Sequence, residues 1–439
     1  MLTIAIVTAF VAGYVCIALE SVIKINKAAI ALLMFVVCWT LFMMAPGFYL
    51  PGVDDAVGAA LEALEGHLGE TSSTLFFLMG AMTIVEVVDQ NGGFNFVRDL
   101  MHTTSKRALL WRIALMTFFL SAILDNLTTS IVLVMVLRKL VPLRQDRLIY
   151  DAVIVMAANS GGAFSPIGDV TTIMLWNGAM ITAGGIILHL ILPSLLSMLI
   201  PAFLLQFSLK GELQQPAESA AVTAEQELTA WERKTVFVLG VGGLMFVPVF
   251  RYLTDLPPYV GILLVLAMLW MTTELFYAHL KGQETASHRV ARLLSRIDMA
   301  TILFFLGILM AVACLRQTGV LTALGQWLDA ASGGNHYLVT GAIGIISSIV
   351  DNVPLVAGCM GMYPVAAVGD MAVDGTFWQL LAYCAGVGGS MLIIGSAAGV
   401  VVMGLEKMSF GWYMKHATPV ALAGYLAGMC CYWLQGLLW

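Results

Sequence analysis

Two Asp-Asn pairs interrupt long apolar stretches of this chain: Asp125-Asn126 inside residues 108–141, and Asp351-Asn352 inside residues 337–368. Each pair is followed, at a matching distance, by a second polar interruption, ANSGGAFSPIGDVTT at 158–172 and AGVGGSMLIIGSAAG at 385–399. Broken backbone at bilayer depth must be satisfied by other protein groups or line a watered cavity. An ionised carboxylate there costs roughly 2.5–3.5 kcal/mol on insertion scales. A chain that repeats this costly pattern in the same order is expected to fold as two related halves around a polar centre.

The lipid setting follows from composition. Hydrophobic residues make up 60% of the chain and charged residues 11%, with a mean hydropathy of +0.92, against ~25% charged residues in a soluble domain. Apolar runs of about 20 residues, enough to cross a bilayer, read at 2–20, 28–45, 74–91, 150–176, 183–208, 235–250, 259–279, 300–316, 377–405 and 417–438. The expected class is an all-α polytopic membrane protein with about ten spans, its partner the lipid bilayer. The first run lacks a positive n-region and a small-residue cleavage site, so it reads as a retained span. No basic patch with interleaved aromatics points to nucleic acid. The seven Cys show no CxxC spacing and read as small buried hydrophobes.

Charge placement suggests how the two Asp-Asn segments run. With both treated as re-entrant hairpins, 19 of the 21 Lys and Arg fall on one side, and only Arg251 and Arg316 lie opposite. Single crossings would put Arg112 across the membrane from Arg138 and Lys139 and erase the bias. Positive loops are cytoplasmic, so both termini are expected outside. Hairpin legs of about 15–17 residues reach roughly 25 Å, short of the ~30 Å hydrocarbon core.

The halves then align. LFFLMGAMTIVEVVDQNGGF (75–94) matches LFFLGILMAVACLRQTGVL (303–321), each closing on Gly; a hairpin, a broken span and a final span follow in both. The expectation is two inverted repeats of five spans plus a hairpin each, with discontinuous helices. The first is 1–208, with hairpin 108–141 and broken helix 150–176. The second is 233–439, with hairpin 337–368 and broken helix 377–405. The polar segment 209–232 reads as a cytoplasmic linker.

The chemistry sits at the tips and breaks. One tip offers Ser121, Asp125, Asn126, Thr128, Thr129 and Ser130; the other offers Ser347, Asp351, Asn352 and Pro354. Two readings stand for each Asp-Asn pair: caps on the outgoing leg, or part of an ion site. In the first break, Asn159, Ser160, Gly161, Gly162, Ser165, Pro166, Gly168, Asp169, Thr171 and Thr172 would unwind a helix and present an all-oxygen set suited to a hard cation. The second break keeps Ser390 and Ser396 but has Gly386, Ser396 and Leu392 where the first has Asn159, Asp169 and Ser165. It reads either as a weaker part of the site or as a hinge and packing element.

Three carboxylates, Asp125, Asp169 and Asp351, thus fall near mid-membrane, with no Lys or Arg in the matching cores to neutralise them. Left ionised and bare they would cost about 8–10 kcal/mol together. The remedies are a proton or a bound metal cation, and one oxygen set that accepts either makes each displace the other. Glu86 reads as a proton relay or a hydrogen-bonded structural acid, and His189 as a packing residue. No nucleophile–base pair, zinc spacing or phosphate loop supports an enzyme.

At SAILDNLTTS, ANSGGAFSPIGDVTT, SSIVDNVPLVAG and GGSMLIIGSAAG the chain resembles the NhaD-type sodium/proton antiporters of the ion transporter superfamily, over nearly its whole length. The resemblance implies Na+ or Li+ exchanged for protons, no cofactor, a homodimer with a scaffold, and an elevator-like transport domain in a bacterial inner membrane. By motif match, Ser121, Asp125, Asn126, Asn159, Asp169, Thr171, Thr172, Ser347, Asp351 and Asn352 would serve transport. Relatives that carry dicarboxylates present Ser-Asn-Thr at the tips, and the acidic tips here would repel an anion. The alternative function is a sodium-coupled carrier of a dicarboxylate or metalloid oxyanion. A passive cation channel or a non-transporting scaffold is a third class.

Overall fold

The computed structural model describes residues 1–18, 23–93, 100–101, 103–141, 143–209, 211–213, 228–278, 297–349 and 351–438. Most of the expected linker, at 210 and 214–227, lies outside them, as do Arg98, Lys281, Arg289, Arg292 and Arg296 of the charge bias. The described residues form helices joined by turns, with only two isolated β-bridges. In chain order the helices are α1 (Leu2–Ala18), α2 (Lys27–Met43), α3 (Pro46–Tyr49), α4 (Ala56–Gln90), α5 (Lys106–Leu124), α6 (Asn126–Leu140), α7 (Arg144–Ala163), α8 (Val170–Asn177), α9 (Ala183–Leu205) and α10 (Ala230–Thr254). They continue with α11 (Pro258–Ala278), α12 (Met299–Gln317), α13 (Val320–Ser332), α14 (His336–Ser347), α15 (Asn352–Met362), α16 (Thr376–Gly388), α17 (Ala397–Glu406), α18 (Phe410–His416) and α19 (Thr418–Leu438). Among the described residues, α4, α5, α9, α10, α11, α12 and α19 are long and apolar enough to cross a membrane.

Three elements depart from the sequence reading. The stretch 46–73, left between the apolar runs 28–45 and 74–91, is mostly the start of α4. Residues 56–73 are rich in Ala, Leu and Glu, good helix formers, and Asp55 Oδ1 caps them by accepting from Gly58 N at 2.8 Å. At 35 residues α4 is about 52 Å long, so part of it projects beyond a ~30 Å core. Next, α5 has 19 residues, about 28 Å, so leg length alone does not rule out a crossing there. What separates α5 from α6 is the break at Asp125. Finally, α13 was not anticipated. It is held between Gly319 and Gly333, both left-handed (φ +75° and +63°), and Tyr363 ties it down by donating to Asp329 Oδ1 at 3.0 Å.

Packing sorts the helices into an inner and an outer group. Inside, α5 lies along α7 and α14 along α16, while α17 packs against α6 and α7, α16 against α7, and α8 against α15. Outside, α1 lies on α2, α2 along α12, and α4 against α10, α11 and α12. Every residue from Tyr150 to Ala163 of α7 and from Phe377 to Gly388 of α16 is buried, so the segments that precede the two breaks sit at the centre. Glycine makes this closeness possible. A Cβ on Gly161 would stand 2.1 Å from Phe118 O, and one on Gly388 would stand 2.3 Å from Gly344 O. Large apolar side chains on the outer faces, such as Leu188, Met245, Leu275 and Leu437, are exposed, as a lipid-facing surface requires.

Candidate functional site

The two tips converge on one carboxylate. Asp169, buried at the head of α8, accepts Thr171 N at 3.0 Å through Oδ1. Its Oδ2 accepts from Asn126 Nδ2 at 2.9 Å and from Asn352 Nδ2 at 3.1 Å, one amide from each tip. Asn126 Nδ2 also reaches Asn159 Oδ1 at 3.0 Å. Asn159 Nδ2 in turn donates to Ser390 Oγ and Ser396 Oγ, each at 2.9 Å. Both tips and both breaks thus share one hydrogen-bond network. The second break joins it through its serines, so the departures noted at Gly386, Leu392 and Ser396 do not remove it from the centre.

The outer two carboxylates are held differently. Asp125 adopts φ +90°, ψ 157°, a region of backbone space nearly confined to glycine, at a cost of about 1–3 kcal/mol. Its oxygens accept from Thr128 N at 2.7 Å and Thr128 Oγ1 at 2.8 Å. Asp351 has an ordinary backbone; Oδ1 accepts Val353 N at 3.3 Å, and Oδ2 faces Lys27 Nζ at 3.2 Å. Both are caps, and both remain within electrostatic reach of Asp169. Capping and membership of the polar centre therefore coexist.

A cavity of about 320 Å³ leads to this centre, lined by Asn26, Lys27, Asp298, Thr301, Asp351 and Ser396 among others. Among the described residues, no group of three or more His, Cys, Asp or Glu is arranged to hold a metal ion. The carboxylates are spread among amides and hydroxyls. That donor set offers mixed neutral and anionic oxygens, suited to a weakly charged hard ion rather than a transition metal. The hydroxyl of Thr129, three residues past Asn126, is buried without a hydrogen-bond partner, and the Thr171 side chain lies against the Asp169 carboxylate.

Comparison with known proteins is consistent with this geometry. Residues 14–380 match the family model described as citrate transporter. The chain is 44% identical over 98% of its length to sodium/proton antiporter 1 of Arabidopsis thaliana, covering 72% of it, and 42% identical to sodium/proton antiporter 2 of the same plant, with 96% of each covered. It is 31% identical to the Na(+)/H(+) antiporter NhaD of Vibrio cholerae, covering 96% of this chain and 89% of that one. The chain belongs to the NhaD-type sodium/proton antiporters. The crystal structure of the YdaH transporter of Alcanivorax borkumensis shares its fold, with a TM-score of 0.61 at 13% identity over 93% of this chain and 99% of that one.

In this NhaD-type member, the expected site residues fall into two sets. Asp125, Asn126, Asn159, Asp169, Thr171, Asp351, Asn352, Ser390 and Ser396 lie at the centre, and Thr172 supports it by donating to Asp169 O at 2.9 Å. Ser121, Ser165 and Ser347 turn to backbone carbonyls instead: Ser121 to Ala158 O at 2.6 Å, Ser165 to Ala122 O at 2.5 Å, Ser347 to Ala385 O at 2.8 Å. They clamp tip legs to breaks. Glu86 accepts from Gln90 Nε2 at 3.1 Å within α4. His189 is tied to Gly185 O at 2.8 Å and Gln379 Nε2 at 3.1 Å, a satisfied packing role.

Sequence reasoning missed two features. It found nothing to neutralise the carboxylates, yet Lys27 reaches Asp351 from a helix 324 positions away. It also counted Arg138 and Arg147 as loop charges. Both pair with the buried Glu406, at 2.5 and 3.1 Å, where α17 ends. Nearby Asp151 is fully buried with neither oxygen hydrogen-bonded. Its one signal was an acid set inside an apolar run.

Proposed function

We propose that this chain is a secondary transporter exchanging Na+ or Li+ for H+ across a membrane, with cation and protons competing for the carboxylates of Asp125, Asp169 and Asp351. The observation that carries the reading is the convergence of Asn126 and Asn352 on Asp169 beside two further acids. Such a centre is stable only when protons or a cation offset its charge. The names of the plant and Vibrio relatives support the same exchange. Residues in named roles are Asp125, Asp169 and Asp351 as shared proton and cation acceptors, Asn126, Asn159 and Asn352 as neutral partners, and Thr129, Thr171, Ser390 and Ser396 as hydroxyl donors of oxygen. Ser121, Ser165, Thr172 and Ser347 position these groups.

The architecture we infer is two inverted repeats, 1–208 and 233–439, each with a re-entrant hairpin (α5–α6 and α14–α15) and a broken helix (α7–α8 and α16–α17). Matched details support it. Ser121 and Ser347 clamp Ala158 and Ala385 in the same way. Asp169 and Ser396 cap α8 and α17 with nearly equal backbone angles, φ/ψ −146°/149° and −139°/151°. The charge bias argues for both termini outside, and the family resemblance for a homodimer in a bacterial inner membrane.

The test is dequenching of a trapped pH dye in vesicles on adding NaCl, LiCl or KCl. Expected is an alkaline-dependent signal with Na+ or Li+ and chloride alone, lost in Asp125→Asn, Asp169→Asn and Asp351→Asn at normal expression. A strict requirement for an added dicarboxylate, the class in the matching family's name, would instead favour anion transport. Normal exchange in the three mutants would end the assignment.

A further inference from the structure

Lys27 opens α2, one residue after Asn26, whose Oδ1 caps the helix by accepting Ala28 N at 2.8 Å. From there its ammonium extends into the cavity. Nζ stands 3.2 Å from Asp351 Oδ2 and 4.4 Å above the ring of Phe304 on α12. Among the described residues lining that cavity, Lys27 is the only cationic one, and Asp351 and Asp298 are the acids. Asp298 caps α12, accepting Thr301 N at 3.1 Å and Thr301 Oγ1 at 2.5 Å. The ammonium therefore sits in a cavity that offers two carboxylates, Asp351 at the polar centre and Asp298.

An ammonium is a compact monovalent cation on a flexible stem. Chemically it asks of a carboxylate what Na+ asks. Because it is tethered, its effective concentration at Asp351 is in the millimolar range or above, whatever the bulk ion level. The two partners also belong to different packing groups: Lys27 to the outer pair α2–α12, Asp351 to the tip between α14 and α15. Their contact adds an ion pair to the packing of α12 against α15 that already joins the two groups.

We propose that Lys27 is a tethered stand-in for the transported cation: it occupies Asp351 when no alkali ion is bound, and Na+ must displace it to load the site. Two consequences follow. The ion-free tip is latched to the outer helices, so it does not move while its charge is uncompensated. The measured affinity for Na+ is weaker than the affinity of the oxygens themselves, because entry includes breaking the Lys27–Asp351 pair. Asp298 gives the displaced ammonium a second carboxylate in the same cavity. This inference rests on the cation-exchange reading and adds to it a residue that sets affinity and gates movement.

The experiment uses the full chain in proteoliposomes at fixed pH and measures the Na+ concentration for half-maximal exchange in the wild type, Lys27→Gln and Lys27→Arg. A partly exposed ion pair is worth a factor of several, so Lys27→Gln is expected to lower that concentration about three- to tenfold. Lys27→Arg, which restores a cation, should hold it at or above the wild-type value. Calorimetric titration of the purified proteins with NaCl should give the same order of affinities without any turnover. An unchanged or raised half-saturation in an active Lys27→Gln protein overturns the stand-in role and leaves the exchange reading intact. Absence of Na+-driven proton movement and of Na+ binding in the wild type would instead defeat both.

Discussion

Thr129, three residues past Asn126 of the Asp169 network, buries a hydroxyl that finds no hydrogen-bond partner. An unmade bond of this kind costs about 1–3 kcal/mol, and such a cost at the edge of the Asp169 network fits an oxygen held ready for an ion. A structural hydroxyl and a liganding one then part ways on substitution. Thr129→Val keeps the shape and loses no protein hydrogen bond from Oγ1, so the melting temperature in detergent should stay level or rise slightly. The Na+ needed for half-maximal exchange should rise several-fold. Thr117 on α5 carries the same orphaned hydroxyl and joins none of the network's hydrogen bonds, and Thr117→Val should leave that value alone; equal effects at both sites would remove the ligand role. At this scale the sequence was informative where a polar residue broke an apolar run, as at Asp125, Asn159 and Asp169. It was silent on Lys27, because a lysine at a helix start looks like any interfacial charge and nothing local links it to position 351. It was equally silent on Ser121, Ser165 and Ser347 as clamps, since a serine that faces a carbonyl and one that faces an ion have the same spelling.

Helices α5 and α7 approach closely enough for Ser121 to reach Ala158 only because Gly161 has no side chain. Gly161→Ala would drive a Cβ into Phe118 O, a backbone atom that cannot rotate away. Overpacking of this kind costs typically 1–3 kcal/mol; exchange should fall steeply and the melting temperature drop. By contrast Gly66, on the exposed early part of α4, has open space around it, and Gly66→Ala should be neutral or stabilising by up to ~1 kcal/mol from helix propensity. If Gly161→Ala kept full exchange and stability, the close contact would not matter to the site. The elements that carry the site were legible because their breaks are written in Gly, Pro and Asp. Elements whose limits depend on weak propensity were not. The start of α4 was lost because residues 56–73 are too polar for a span yet good helix formers, and α13 because an amphipathic helix of 13 residues lacks a membrane signature.

At the scale of the whole molecule the question is how three acids, where two tips and two helix breaks meet, can do work. The network ties both tips and both breaks to Asp169, so any ion bound there meets elements far apart in the chain at once. Loading therefore changes the charge of the unit as a whole, and the cavity lined by Lys27 and Asp298 reaches it at Asp351 and Ser396. Cation ligands must be deprotonated to bind, which fixes the sign of the pH response. Lowering pH fills the carboxylates with protons, so more Na+ is needed for half-maximal exchange. Raising pH lowers that requirement, by up to about tenfold per pH unit where one proton is displaced per cation, until the acids are empty and the curve flattens. The maximal rate should then fall at high pH, since the return step needs protons that are now scarce. Vesicle assays across pH 7–9.5 with varied NaCl separate this from an independent pH gate: competition moves the half-saturating Na+ concentration and is overcome by more Na+, whereas a gate scales the rate at every Na+ concentration. A half-saturation that does not vary with pH would mean that protons and cation occupy different groups, and the shared role of Asp125, Asp169 and Asp351 would fall.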